Sequence, residues 1–421
     1  MFKKELLFAL LITVLYGCKS SHISKNINEK LGGSFYDNQF TGLLVYNPKI
    51  QDTVFKYNAD KYFTPASNTK IFTLYTALQF LPKEIPAFKY TVDNDTITIL
   101  GTGDPTFLHP FFNDSTAIKK VKNFKKVNLV WGNLLEDKFG PGWAWEDYDT
   151  YFSPERTSFP MYGNVLTISY QDSLQSIPEV LKGTIQYSES NKHRNYNDNT
   201  FFYNTKDKDT IEVPMVIDTL LIKKLWDDIL PNKVSVSKFS GMPMEHVAYS
   251  VPSDSLYKRM MLVSDNFLAE QMLIMASSTL SDTLSSSKIR ELVLDTKLND
   301  LKQKPRWVDG SGLSRYNLFT PMSFVQVLTK LYNDIPQERL YNLFPAGGES
   351  GTLKKYFPGS PEPYIHAKSG TVGNNYSLSG YLTTNSGKTL IFSFMNNHYR
   401  KPTVEVKKRM QSVLEWLRDN Y

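Results

Sequence analysis

The chain has 421 residues, a single cysteine and a formal charge of +6 from 48 basic and 42 acidic side chains. One cysteine excludes a disulfide framework and a cysteine-rich zinc module, and 41% hydrophobic with 21% charged residues excludes a chain disordered throughout. The basic residues form only short clusters, such as Lys119-Lys120-Val121-Lys122, which read as solvated faces, so no nucleic-acid partner is expected.

The N-terminus reads as an address. Lys3 and Lys4 precede an apolar run from Leu6 to Tyr16. That run is too short to span a bilayer core, which takes about 20 residues, and it fits the apolar region of a secretory signal. It ends in Leu15-Tyr16-Gly17-Cys18, which resembles the lipobox of bacterial lipoproteins, where a cysteine after a small residue is lipidated. Residues 1–17 therefore read as a lipoprotein signal peptide, Cys18 as the lipidation site and residues 18–30 as a polar tether. A lipid-anchored protein of the cell envelope, facing the periplasm, is expected. Stable anchoring takes more than one acyl chain.

Thr41 to Tyr57 reads as a hairpin around Asn47-Pro48. Pro65 to Leu81 reads as a helix that is apolar nearly all round, hence buried, and Pro82 ends it. From residue 85 to 235 short β-like runs, such as 96–100 and 127–130, alternate with turn-rich stretches. This is a β-rich insertion, with a polar loop at 187–208. Beyond it, Ser253 to Ser278 and Pro321 to Tyr332 read as helices. Tyr364 to Thr371, Ser377 to Thr383 and Thr389 to Asn396 read as three strands, and Val404 to Leu417 as a last helix. Residues 31–84 and 236–421 then form one domain, its sheet built from both ends of the chain. The fold class is α+β.

The chemistry sits in three short motifs. Ser-x-x-Lys occurs four times, at Ser67, Ser235, Ser255 and Ser285, and only Ser67 opens a buried helix. A helix N-terminus offers unpaired N–H groups and partial positive charge, which suits a serine that attacks a carbonyl. Lys70, about one turn on, is within reach of its hydroxyl. A serine needs such a base, and burial lowers a lysine's pKa enough to make it one. Ser264-Asp265-Asn266 is the second motif. Lys368-Ser369-Gly370-Thr371, on an expected strand, is the third. Its glycine lets another backbone approach, and its hydroxyls and ammonium suit a carboxylate. The six histidines show no paired metal spacing. Thr106 replaces the third glycine of a dinucleotide loop that begins at Gly101. No metal and no cofactor are expected. His366 and Trp143 with Trp145 read as structural, the tryptophans as packing rather than sugar-stacking residues.

In this order the three motifs are the signature of penicillin-binding proteins and serine β-lactamases. The gap from Ser67 to Ser264 is nearly twice that from Ser264 to Lys368, which places a large insertion after the nucleophile helix. The chain thereby resembles the D-alanyl-D-alanine carboxypeptidase/endopeptidase family of low-molecular-mass penicillin-binding proteins. Gly101-Thr102-Gly103-Asp104-Pro105, Gly142-Trp143-Ala144-Trp145-Glu146-Asp147, Asp309-Gly310-Ser311-Gly312-Leu313-Ser314-Arg315 and Gly351-Thr352-Leu353 are similar to further segments of that family. Ser369 stands where many members have threonine, and the insertion is shorter than in the larger members. The resemblance implies a β-lactamase/transpeptidase-like domain, an antiparallel sheet flanked by helices, carrying the insertion. It implies a serine DD-peptidase acting on peptidoglycan stem peptides and inhibited covalently by β-lactams. Ser67 is then the nucleophile, Lys70 its base, and Ser264 with Lys368 a proton relay. Asn266, Ser369, Gly370 and Thr371 bind substrate, and the backbone N–H groups of Ser67 and Thr371 form the oxyanion hole. Asp309 and Arg315 are expected to be scaffold. The alternatives are a non-catalytic penicillin- or muropeptide-binding lipoprotein and a β-lactamase.

Overall fold

The computed structural model describes residues 22–112, 114–189, 191–206, 208–231 and 233–421. Cys18 and the signal segment lie outside the described residues. Among the described residues, no helix is long and apolar enough to cross a membrane.

The main sheet has five antiparallel strands in the order Ile365–Val372, Asn375–Thr383, Thr389–Asn397, Phe40–Asn47, Asp52–Tyr57. The first hairpin of the chain thus completes a sheet begun by its last three strands. Period-two alternation sends successive side chains to opposite faces. Leu44 and Ile391 enter one core with the helices Lys70–Phe80, Asn266–Ser278 and Pro321–Asp334. Leu43, Val45 and Phe392 enter a second core, under the helix Thr403–Asn420.

Outside the insertion, two of the expected elements differ. The stretch read as a tether is helical over residues 22–31. Ile23, Ile27 and Leu31, spaced by four, are buried in the second core, and His22 lies against Trp416. A stripe of three apolar residues is enough once a neighbouring helix supplies the other wall. The helix expected over 253–278 is two helices, Ser253–Val263 and Asn266–Ser278. Ser264 breaks it with a left-handed backbone (φ 61°), and Asp265 caps the second helix by accepting a hydrogen bond from Leu268 N. Aspartate is a favoured cap, whereas a left-handed serine is sparsely populated and persists only when its surroundings over-determine it.

The insertion is more than β-structure. Its largest sheet runs Val234–Lys238, Lys126–Trp131, Thr96–Gly101, Glu84–Asp93, His246–Pro252 and includes two parallel pairs. The strand His246–Pro252 carries this sheet past residue 235. Helix Thr219–Ile229 packs Leu221, Ile222, Leu225 and Trp226 into the same core as Ile97, Ile99, Val127 and Leu129. The Gly101–Pro105 motif is a joint between insertion and main domain. Gln271, on the helix beginning at Asn266, donates to Gly103 O and Thr157 O and accepts from Thr157 N.

Candidate active site

Ser67 does not sit on an α-helix proper. It lies in the 3₁₀ turn Ala66–Thr69, and Lys70 is the first residue of the α-helix that follows. Ala66 is left-handed (φ 50°). Two glycines let the turn sit so deep. A Cβ at Gly312 would come within 1.9 Å of Ala66 O. One at Gly370 would come within 2.6 Å of Pro65 O and 2.7 Å of Ser67 N. Gly370 thus makes room for this chain's own serine turn. Its strand, Ile365–Val372, is the edge strand of the sheet; a short bridge from Ala346 to His366 covers the start of its outer side, and the stretch at Gly370 lies against the nucleophile turn.

The three motifs converge. Lys70 Nζ lies 3.0 Å from Ser67 Oγ, 2.7 Å from Asn266 Oδ1 and 2.7 Å from Ser311 O. Asn266 Nδ2 donates to Phe152 O, from the insertion, at 3.0 Å. That fixes the orientation of the amide and leaves one of its N–H groups for a ligand. Lys368 Nζ donates to Ser264 Oγ (2.9 Å) and to Ser369 O (2.5 Å). The left-handed turn at Ser264 presents its hydroxyl to this lysine.

Both lysines are fully buried. Burial pushes the Lys70 ammonium down to about 8, while the carboxylates of Asp309, Asp265 and Glu270 pull the other way. Lys368 is pushed well below the usual lysine range, by burial first and by the charge of Lys70 second. An ammonium is disfavoured in a low dielectric, and a like charge nearby disfavours it further. The pair is therefore built to hold fewer than two protons.

These groups border a cleft of about 650 Å³ between the main domain and the insertion. Ser67, Ser264, Asn266 and Thr371 open onto it. Ser369 does not. Its hydroxyl donates to Thr352 Oγ1 at 2.7 Å, and Thr352 takes its place at the cleft. Asp147, Glu212, Arg259 and Arg315 give the cleft charges of both signs. Arg315 thus lines the cleft, while Asp309 is buried scaffold. Asp309 accepts from Gly312 N (2.9 Å), Ser314 N (2.6 Å), Asn317 Nδ2 (2.7 Å) and Trp143 Nε1 (2.9 Å).

Trp143 is therefore a packing residue, whereas Trp145 is 75% exposed and corrects the packing reading. His366 stacks on Tyr341 with ring centroids 4.4 Å apart, and burial lowers its pKa to about 4. It is structural. Phe152, Glu270 and Arg156 carried no motif. Thr352 left a trace through the Gly-Thr-Leu segment, without a role attached to it.

A buried lysine on a serine hydroxyl, a second lysine on a second serine, and the edge strand of an antiparallel sheet beside the nucleophile define the β-lactamase/transpeptidase type of fold. The chain belongs to the D-Ala-D-Ala carboxypeptidase 3 (S13) family, which it matches over residues 23–193 and 234–419. It is a serine-type carboxypeptidase of that family. The penicillin-sensitive carboxypeptidase A of Dictyostelium discoideum is 23% identical over 429 residues, covering 84% of this chain and 82% of that protein. The D-alanyl-D-alanine carboxypeptidase DacB of Haemophilus influenzae is 22% identical over 441 residues, covering 90% of each. The crystal structure of penicillin binding protein 4 from Haemophilus influenzae shares the fold, with a TM-score of 0.72 at 18% identity, over 94% of this chain and 99% of that one.

Proposed function

We propose that this protein is a lipid-anchored, periplasm-facing DD-peptidase that removes the terminal D-alanine of peptidoglycan stem peptides, cleaves D-alanyl cross-links, or does both, through an acyl-Ser67 intermediate. The contact that carries this reading is Lys70 Nζ at 3.0 Å from Ser67 Oγ, buried among acceptors.

Neutral Lys70 takes the Ser67 proton as Oγ bonds to the carbonyl carbon. The developing oxyanion is held by the N–H groups of Ser67 and Thr371, a contribution of about 3–4 kcal/mol per donor. As the C–N bond breaks, the departing amine takes a proton from Ser264, and the proton held by Lys70 refills Ser264 with Lys368 beside it, so that the acyl group stays on Ser67 and Lys70 is neutral again. Water then releases the product from Ser67. The hydroxyls of Thr371 and Thr352 receive the terminal carboxylate, with Ser369 fixing Thr352 from behind. The N–H left free on Asn266 holds the substrate's peptide carbonyl. A β-lactam enters by the same attack and stays as the acyl-enzyme. Release of free D-alanine from pentapeptide muropeptides tests the reading; none from a well-folded protein sinks it.

The buried lysine sets a pH dependence. The base must be unprotonated, so acylation by a β-lactam rises with pH and levels off through about 8. Below that midpoint the rate falls about tenfold per pH unit. Acylation rates measured across the range check this, and a flat profile removes Lys70 as the base.

The anchor rests on Cys18, the chain's single cysteine, at the end of the apolar run. Cells fed a radiolabelled fatty acid are expected to label the parent and not Cys18→Ala. Equal labelling of both, or of neither, overturns it.

A further inference from the structure

The amine of Lys70 has to be aimed as well as deprotonated. A neutral amine keeps two N–H groups and one lone pair. The carbonyl oxygens of Asn266 and Ser311 take the two N–H groups, each at 2.7 Å, and the lone pair is left for the hydroxyl of Ser67. The place of Ser311 O therefore decides where the lone pair points.

Ser311 is itself held. Its N–H donates to Glu270 Oε1 at 2.8 Å. Glu270 lies one helical turn after Asn266 on the same helix, so one helix governs both oxygen partners of the lysine. Glu270 is 1% exposed. Its other oxygen faces Arg156 Nη1 at 3.6 Å and has no hydrogen bond of its own. Arg156 is fixed from the insertion by the carbonyls of Asp137 and Phe139.

We propose that Glu270 is a positioning residue for the acylation step: it holds Ser311 so that the lone pair of Lys70 faces Ser67, and its charge, balanced by Arg156, sets how readily Lys70 gives up its proton. This rests on the DD-peptidase reading with Lys70 as base. The other charges facing Lys70 are already engaged. Asp309 is tied to four donors, Asp265 caps a helix, and Lys368 is bonded to Ser264. Burial and Asp309 raise the Glu270 carboxyl above the usual range, and Arg156, the hydrogen bond from Ser311 and the buried Arg290, itself tied to Trp307 O and Ser286 Oγ, oppose them. Glu270 follows Asp309 and Asp265 among the carboxylates that favour the Lys70 ammonium, and of the three it is the one that also holds Ser311.

The test is the pH profile of acylation of the full-length chain by nitrocefin. Glu270→Gln keeps an oxygen for Ser311 N and removes the charge. Its midpoint is expected to fall by roughly half a unit or more, because a lost carboxylate disfavours the ammonium. Glu270→Asp keeps the charge and shortens the reach. Its plateau is expected to drop about tenfold, as misaimed groups do, with the midpoint in place. A Glu270→Gln midpoint equal to the parent's, or a Glu270→Asp plateau equal to the parent's, overturns the proposal. If Glu270→Gln does not fold because Arg156 is left uncompensated, the double variant R156M/E270Q compared with Arg156→Met alone isolates the Glu270 charge, and the midpoint of the double variant is expected to lie below that of the single one. A parent that never acylates sinks the DD-peptidase reading itself, which separates the two failures.

Discussion

Replacing Ser67 with alanine is expected to abolish covalent capture of benzylpenicillin and D-alanine release together. Intact-mass spectrometry should show one adduct per parent molecule and none on Ser67→Ala. Turnover should fall by 10⁴-fold or more, on the order of the loss seen when the nucleophile of a serine hydrolase is removed. Stability should hardly change. Ser67 is only half-buried and its turn is closed by other groups, Thr69 Oγ1 on Ala66 O and Asn68 Nδ2 on Ser379 Oγ. Loss of activity with an unchanged melting curve therefore assigns the chemistry to one oxygen. An adduct persisting on the variant would place the nucleophile elsewhere. A parent with no adduct would leave a binding lipoprotein as the better description.

Lys70→Met is the second large effect. Methionine fills the buried space but brings no base. Acylation is expected to slow by about 10²- to 10⁴-fold, the usual range for losing a general base. Its effect on stability is a contest. The variant removes a buried amine, which favours folding, and leaves Asn266 Oδ1 and Ser311 O without a donor, which costs about 1–3 kcal/mol for each buried group left unpaired. The fold should survive with a lower melting temperature. Stopped-flow acylation and thermal melts run on the same sample separate the two effects. A loss under tenfold would mean that Lys368, not Lys70, takes the proton. Lys368→Met would then show the larger defect.

The sequence made Ser67, Lys70, Ser264 and Lys368 legible because side-chain chemistry at short spacing leaves a motif. The strands and the buried helix were legible because their hydrophobic period is strong. What stayed hidden is held together by backbone. Phe152 enters through its carbonyl, so any residue there would do the same. Glu270 acts through the N–H of Ser311, which has no residue-type signature. Ser369 looked like a ligand group because it stands beside Lys368, but strand geometry turns it onto Thr352. The helix break at Ser264 was hidden for a related reason. Its flanks are good helix formers, and only the pull of Lys368 on the serine and the cap at Asp265 make the break worthwhile. Residues 22–31 were hidden by composition, since three apolar side chains in a polar stretch mean little until Trp416 and its helix are beside them.

The pairing of Phe40–Asn47 with Thr389–Asn397 has a consequence for biogenesis. Contacts so distant in sequence carry a loop-closure penalty and form slowly. During vectorial synthesis the nucleophile and its base emerge early, yet the sheet edge that completes their site arrives only with the last seventh or so of the chain. The insertion can condense meanwhile around its own core. The site is thus incomplete until nearly the full length of the chain has emerged, a delay that a zymogen achieves with a propeptide and that this topology builds into the order of its strands.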